Sequence, residues 1–224
     1  MKEQANRAPR PIARIQQNIL AVSERKLLTW LCSQMPPWVT PDILTTTGVV
    51  GAFAIFVGYA ASGFHIAWLW LAIAGYVVQW FGDSLDGSLA RYRKIERPRF
   101  GYFIDHSCDG ITTLLILAGI GLSPFVRLDV ALVALAGYLL LSIHAYLSVQ
   151  ALGELKLSYL AAGPTELRFV LIGMTVAMMA VGSNPAPVGT SWFDVFVGSV
   201  AALFIVLFAI QTLTIARRLA RTAG

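Results

Sequence analysis

Residues 83–109 read Asp-Ser-Leu-Asp-Gly-Ser-Leu-Ala-Arg-Tyr-Arg-Lys-Ile-Glu-Arg-Pro-Arg-Phe-Gly-Tyr-Phe-Ile-Asp-His-Ser-Cys-Asp, and this stretch decides how the chain folds. Its aspartates are Asp83, Asp86, Asp105 and Asp109, at the ends of two apolar segments that flank a basic connection. At about 100° per residue, the first two share one face of a helix and the last two share one face of the next helix. Two antiparallel helices with a short connection can therefore aim all four carboxylates at one point.

The surrounding chain is strongly apolar. Of its 224 residues, 57% are hydrophobic and only 13% are charged, and the mean hydropathy is +0.68, which is typical of a membrane protein. Six segments are about 20 residues long and apolar enough to cross a bilayer. They lie near residues 42–61, 66–89, 99–122, 129–151, 166–182 and 192–216. The sequence thus predicts an all-α integral membrane protein with a six-helix transmembrane bundle.

The basic residues predict its orientation. They concentrate in the N-terminal arm, in the connection between the second and third spans, and at the C-terminus, whereas the opposite loops hold only Arg127. By the positive-inside rule, we expect a multi-pass protein with both termini and the aspartate region on the cytoplasmic side. Topology and anionic headgroups account for the net charge of +5, so no nucleic-acid partner is expected.

Residues 1–41 are predicted to form a cytoplasmic arm with an amphipathic helix, and residues 42–224 to form the six-helix catalytic domain. Apolar residues recur at helical spacing from about Pro11 to Gln34, with charged residues between them, which indicates a helix lying in the membrane interface. The alternative is a helix that packs on the bundle. Thr40 is expected to cap the first span, with Pro41 at its first position. No cleavable signal is recognised at the N-terminus.

Four ionisable side chains at membrane depth need a compensating charge, since each costs about 3 kcal/mol to insert. A divalent cation is the best candidate, because carboxylate-only ligation suits Mg²⁺ or Mn²⁺ and four carboxylates can bridge two ions. The alternative, aspartates held neutral or paired for structural reasons, fits poorly because the cytoplasmic basic residues cannot reach all of them. We therefore expect two metal ions, Mg²⁺ or Mn²⁺.

The pattern D-x2-D-G-x2-A-R-x9-G-x3-D-x3-D resembles the signature of the CDP-alcohol phosphotransferases (CDP-alcohol phosphatidyltransferases), and every fixed position matches. The resemblance implies that Asp83, Asp86, Asp105 and Asp109 bind the two metals and that Asp109 is the general base. It also implies a nucleotide site. Its residues would be Gly87, Ala90, Arg91 and Gly101.

The run Ile-Asp-His-Ser-Cys-Asp at 104–109 is similar to the Phe-Asp-His-Gly-Cys-Asp run of choline and ethanolamine phosphotransferases. In those enzymes the matching histidine is thought to help activate the diacylglycerol hydroxyl, which makes His106 a catalytic candidate. The alternative is hydrogen bonding to a metal-bound aspartate. Tyr102 departs from the resemblance, since those enzymes carry a glutamate there.

Four further residues are secondary candidates. Glu166 and Arg168, at the start of the fifth span, are predicted to contact substrate, or else to cap the helix and follow the positive-inside rule. Gln79, one turn before Asp83, is expected to orient that carboxylate or to bridge helices. Cys108 is expected to point away from the aspartate face and to serve in packing.

The favoured function is phospholipid synthesis by transfer of a substituted phosphate from a CDP-linked donor to an alcohol, with release of CMP. His106 favours transfer of a phospho-aminoalcohol to diacylglycerol. Transfer of phosphatidyl from CDP-diacylglycerol to inositol phosphate, glycerol phosphate or serine remains open. A divalent-cation transporter is the alternative of another class, and a family member that only binds its ligands ranks last. Members of the family often dimerise, so the resemblance also implies a homodimer.

Overall fold

A computed structural model describes residues 13–15, 21–152, 154–156, 163–182 and 190–222. The chain there is helical apart from two strands of three residues each. The helices are α1 (Ala21–Gln34), α2 (Pro41–Ala60), α3 (Trp68–Tyr92), α4 (Pro98–Leu122), α5 (Leu128–Leu152), α6 (Pro164–Val181) and α7 (Trp192–Thr222), with a 3-10 turn at Ala61–Gly63. The predicted all-α architecture is confirmed for the described residues apart from these two strands, and each predicted span coincides with one of the helices α2 to α7.

Five helices of the described chain are long and apolar enough to cross a membrane, namely α2, α4, α5, α6 and α7. They support a multi-pass membrane protein. Helix α3 has 25 residues but is not among the five, because Gln79, Asp83 and Asp86 lower its hydropathy. The count of six spans therefore stays a prediction that depends on α3.

The N-terminal prediction is wrong in part. Residues 13–15 form strand β1, not helix, and pair in parallel with strand β2 at Glu154–Lys156. Helix α1 begins only at Ala21, and residues 11, 12 and 16–20 of the predicted helix lie outside the described residues. A parallel partner 141 residues further along the chain is a tertiary contact that helical periodicity cannot reveal.

Helix α1 packs on the beginning of α2 and the end of α3. Its buried Cys32 joins a cluster with Leu44 of α2 and with Leu85 and Leu89 of α3. The Arg93 guanidinium, just after α3, donates hydrogen bonds to the carbonyls at the end of α1 and in the following turn. The acceptors are Met35 at 3.1 Å, Pro36 at 2.8 Å and Val39 at 2.5 Å. These contacts fix α1 against the helix that carries Asp83 and Asp86.

Helices α2 and α3 lie in backbone contact along their length. A Cβ atom at Gly82 would lie 2.3 Å from the Gly48 nitrogen, and one at Gly58 would lie 2.4 Å from the Ala72 nitrogen. Small residues allow this approach, which dispersion contacts then stabilise in a lipid environment. As predicted, Thr40 caps α2, and its hydroxyl accepts a hydrogen bond from Ile43 N at 3.3 Å.

A second hydrophobic core contains residues from each of the six helices α2 to α7 and includes the fully buried Tyr59, Tyr76 and Met178. The Tyr59 hydroxyl lies 2.5 Å from the Thr175 hydroxyl of α6 and 3.3 Å from that of Tyr76. This buried polar contact satisfies groups that could not reach water. It ties α6 to the α2–α3 pair on the far side of the aspartates.

Candidate active site

Three of the predicted aspartates form one cluster. Asp83 of α3 and Asp105 and Asp109 of α4 each offer a carboxylate oxygen, and these oxygens lie within 4.8 Å of one another. All three side chains are partly buried. Because like charges this close repel strongly in a medium of low dielectric constant, the cluster favours binding of a cation. An all-oxygen donor set fits Mg²⁺ or Mn²⁺.

Asp86, the fourth predicted ligand, is engaged differently. Its Oδ2 accepts a hydrogen bond from the Thr45 hydroxyl at 2.7 Å, and its Oδ1 accepts one from Gly87 N at 2.5 Å. The side chain lines the same small cavity as Asp83 and Asp105. The structure thus brings Asp86 to the site but not into the three-aspartate cluster.

Thr45 is a site residue that our sequence analysis missed. It lies in the second turn of α2, one helix away from the signature. Three consecutive threonines, residues 45–47, near the beginning of an apolar span were the available signal. Only the close approach of α2 and α3 shows which of the three faces the aspartates.

Arg168 of α6 reaches the cluster. Its Nη2 donates a hydrogen bond to Asp83 Oδ2, and its Nε donates to Gln79 Oε1 at 2.7 Å. The two charged side chains of this pair are 13% and 25% exposed, so water screens them only partly. Gln79 therefore bridges α3 and α6, which was one of the two roles expected for it. Arg168 supplies positive charge beside Asp83.

Glu166 has a local contact at the start of α6. Its Oε2 accepts a hydrogen bond from Gly163 N at 2.9 Å. This is the capping contact expected for an acidic residue in the first turn of a helix. Contact of Glu166 with substrate stays a prediction.

His106 is enclosed by aromatic rings. Its ring centroid lies 4.3 Å from that of Tyr102 and 4.8 Å from that of Tyr146 on α5, and its side chain is 10% exposed. Its Nδ1 lies 3.5 Å from Asp109 Oδ2, while its Nε2 is buried and has no hydrogen-bond partner among the described residues. Tyr146 lies 40 residues after His106, so the sequence alone gave no reason to pair them.

Of the predicted nucleotide residues, Gly101 faces open space. A Cβ atom at Gly101 would have no neighbouring atom of the described chain within 4 Å. Arg91 is exposed and its Nη2 donates a hydrogen bond to Ser88 Oγ of its own helix at 3.2 Å. Gly87 and Ala90 are half-buried on the same helix. Contact of these residues with a nucleotide stays a prediction.

The packing role expected for Cys108 stays a prediction. Its side chain is half-buried and lines the cavity between α2, α3 and α4, together with Asp83, Asp86 and Asp105. Residues of α2, α3 and α4 all line this cavity, because α2 packs against both α3 and α4.

The family model described as CDP-alcohol phosphatidyltransferase matches residues 38–215. Cholinephosphotransferase 1 of Danio rerio is 32% identical over 96 residues, which are 40% of this chain and 25% of that protein. The archaetidylinositol phosphate synthase of Methanothermobacter thermautotrophicus is 34% identical over 101 residues, 45% of this chain and 49% of that protein. The phosphatidylinositol phosphate synthase of Cutibacterium acnes is 35% identical over 85 residues, 38% of each chain. Each match thus spans between a quarter and a half of the relative's length.

Proposed function

Because the chain belongs to the CDP-alcohol phosphatidyltransferase family, we propose that it transfers a substituted phosphate group from a CDP-linked donor to an alcohol acceptor and releases CMP. The observation that carries this proposal is the cluster of Asp83, Asp105 and Asp109 on two adjacent helices. Such a cluster suits divalent cations, and a reaction between a diphosphate and an alcohol needs them.

Two Mg²⁺ or Mn²⁺ ions, when bound, would neutralise the donor's diphosphate and stabilise CMP as the leaving group. The three clustered aspartates would hold these ions, and Asp86 would join them from the cavity wall. Thr45 would fix the orientation of Asp86, as groups bonded to a metal ligand commonly do. Asp109 would accept the proton of the attacking hydroxyl, which then displaces CMP directly and leaves no covalent enzyme intermediate.

The nucleotide would lie on the faces that bear Gly87, Ala90 and Gly101, with Arg91 countering phosphate charge. The open space that a Cβ at Gly101 would meet within 4 Å in the described chain supports this placement, because a bulky donor needs room there. The exposed Arg91 guanidinium has freedom to move from Ser88 to a phosphate oxygen.

His106 supports diacylglycerol as the acceptor and a CDP-aminoalcohol as the donor. Its buried, unpartnered Nε2 needs a hydrogen-bond partner, and an acceptor hydroxyl would provide one. Sequence similarity to proteins named cholinephosphotransferase agrees with this substrate class.

The second candidate is transfer of phosphatidyl from CDP-diacylglycerol to a phosphate-bearing alcohol. Arg168 favours it, because its guanidinium beside Asp83 is placed to meet an anionic acceptor. Two relatives named for inositol phosphate lipids support the same reading. Glu166, two residues before Arg168 in the first turn of α6, would contact the same acceptor.

We further propose that the site opens to the cytoplasm, that residues 42–224 form the catalytic membrane domain and residues 1–41 its cytoplasmic arm, and that the protein acts as a homodimer. The basic connection between α3 and α4 supports the orientation. Membrane lipid would then supply one substrate, while the cytosol supplies the other.

A substrate panel tests the proposed function. Purified protein with Mn²⁺ would be assayed for CMP release from CDP-choline, CDP-ethanolamine and CDP-diacylglycerol, each with diacylglycerol or with a soluble alcohol. We expect CMP from one donor class only, and that class decides between the two candidates. If no donor gives CMP while protein-containing liposomes take up Mn²⁺ faster than empty ones, the transporter alternative is correct.

A further inference from the structure

Glu24 of α1 joins two helices that meet at the aspartate cluster. Its Oε1 accepts one hydrogen bond from Trp80 Nε1 of α3 at 2.9 Å and another from the Thr165 hydroxyl of α6 at 2.7 Å. All three side chains are partly buried. A carboxylate oxygen with two neutral donors is a strong acceptor, so the contact holds the start of α6 against the middle of α3.

The two bonds of Glu24 lie beside the contacts of Arg168. Trp80 follows Gln79 directly, and Thr165 precedes Arg168 by three residues, or about one helical turn. Because α6 is a single helix from Pro164 to Val181, anchoring Thr165 fixes the position from which the Arg168 side chain starts. Glu24 is therefore connected to Arg168 through about one turn of α6.

Arg168 and a divalent cation place positive charge at the same carboxylate. Without metal, the guanidinium neutralises part of the negative charge of the cluster through Asp83. With two divalent ions bound, the added positive charge repels the guanidinium, which can then turn to an anionic substrate. Whatever holds Arg168 at Asp83 must consequently weaken metal binding in the absence of substrate.

We propose that Glu24 is a positioning residue, which sets Arg168 against Asp83 and thereby lowers the metal affinity of the substrate-free site while preparing Arg168 for substrate phosphate. The inference rests on the proposed function only for the contact of Arg168 with substrate phosphate. The effect on metal affinity concerns the substrate-free protein and needs no turnover.

The test measures Mn²⁺ affinity of the substrate-free, full-length protein in nanodiscs by the electron paramagnetic resonance signal of free Mn²⁺. Arg168→Met should tighten Mn²⁺ binding by about tenfold, and Glu24→Ala by about threefold, since Arg168 keeps its own bond to Gln79 in the second variant. Glu24→Gln retains an acceptor oxygen and should bind Mn²⁺ like the parent. Glu96→Ala, which removes an exposed carboxylate, is the matched control and should also resemble the parent.

The decisive comparison is the double variant. If Glu24 acts through Arg168, adding Glu24→Ala to Arg168→Met should leave Mn²⁺ affinity unchanged, so that the two effects are not additive. Thr165→Val removes one bond from the opposite partner and should give the same direction of change as Glu24→Ala. It keeps the test available if Glu24→Ala does not fold.

Two results would overturn the inference: weaker Mn²⁺ binding by Glu24→Ala and Thr165→Val, or an equal effect of Glu24→Ala with and without Arg168. The first result is the one expected if Glu24 only stabilises the fold, because unfolded protein cannot assemble the cluster. In active protein, Glu24→Ala should also raise the donor or acceptor KM with little change in kcat. If no substrate is turned over, the proposed function fails while the Mn²⁺ result still decides the role of Glu24.

Discussion

At the scale of single residues, Asp86 and Asp109 have different surroundings. Both Asp86 oxygens accept hydrogen bonds, from Thr45 and from Gly87 N. One Asp109 oxygen lies in the carboxylate cluster, and the side-chain hydrogen bond seen for Asp109 among the described residues is a long one, 3.5 Å between its Oδ2 and His106 Nδ1. A base must be free to accept a proton, so the surroundings favour Asp109 for that role and Asp86 for a fixed ligand.

Replacing Asp109 with asparagine should reduce the rate of CMP release by at least about a hundredfold, because the amide cannot accept the hydroxyl proton. The measurement is single-turnover CMP release at saturating Mn²⁺. Ser107→Ala is the control, since the Ser107 hydroxyl bonds only to Phe103 O of its own helix among the contacts described. A fully active Asp109→Asn protein would exclude the proposed base.

Replacing Thr45 with valine removes the donor to Asp86 without a large change of volume. We expect Mn²⁺ to bind about tenfold more weakly, because the partners that orient metal ligands contribute that much in other sites. Thr46→Val is the matched control, since its hydroxyl bonds to Asp42 O on the same helix. Equal Mn²⁺ affinities of the two variants would show that Thr45 does not position Asp86.

At the scale of elements, the α2–α3 contact decides whether the site can assemble. Gly58 and Ala72 lie in this contact, far from the aspartates along both helices. A Cβ at residue 58 has no room unless the two backbones separate, and separation would move Thr45 away from Asp86.

We therefore expect Gly58→Ala to lower the free energy of unfolding by about 2 kcal/mol, a typical cost of overpacking. Thermal unfolding in detergent would show it as a reduced Tm. Gly173→Ala on α6 is the control, because a Cβ there meets no atom of the described chain within 4 Å. Similar Tm values for both variants would argue against the close α2–α3 contact.

Much of this arrangement could be predicted from local sequence. The apolar segments predicted the helices, Thr40 and Pro41 predicted the start of α2, and the spacing of Asp83, Asp105 and Asp109 predicted a shared site. Contacts between distant segments could not be predicted, because a single sequence does not show which helix faces pack together. Thr45, Tyr146 and the bonds of Glu24 belong to this class, as does the β1–β2 pairing.

At the scale of the whole molecule, the crossing of α3 decides the topology. In the part of the chain that the structure describes, five other helices qualify as spans by length and hydropathy, and α3 joins two of them. If α3 does not cross and the N-terminus stays cytoplasmic, α4 runs in the opposite direction from that proposed, and its aspartates lie on the outer side, away from a cytosolic substrate.

Thiol labelling in oriented vesicles tests this crossing in a Cys32→Ser, Cys108→Ala background. Phe64 is 90% exposed and precedes α3, while Glu96 is exposed and follows it. We expect a membrane-impermeant reagent to label Phe64→Cys from outside and Glu96→Cys only after permeabilisation. Labelling of both from one side would contradict six spans.

We propose that the clustered aspartates bind the divalent metal used for phosphotransfer. The most direct measurement is CMP release by one protein preparation before metal removal, after chelation and after Mn²⁺ is restored, with Asp83→Asn treated in parallel. We predict that release stops on chelation and returns with Mn²⁺ in the parent, and that the variant stays inactive throughout. Release that continues in the metal-stripped parent, or an Asp83→Asn protein with the parent's rate, would contradict the account.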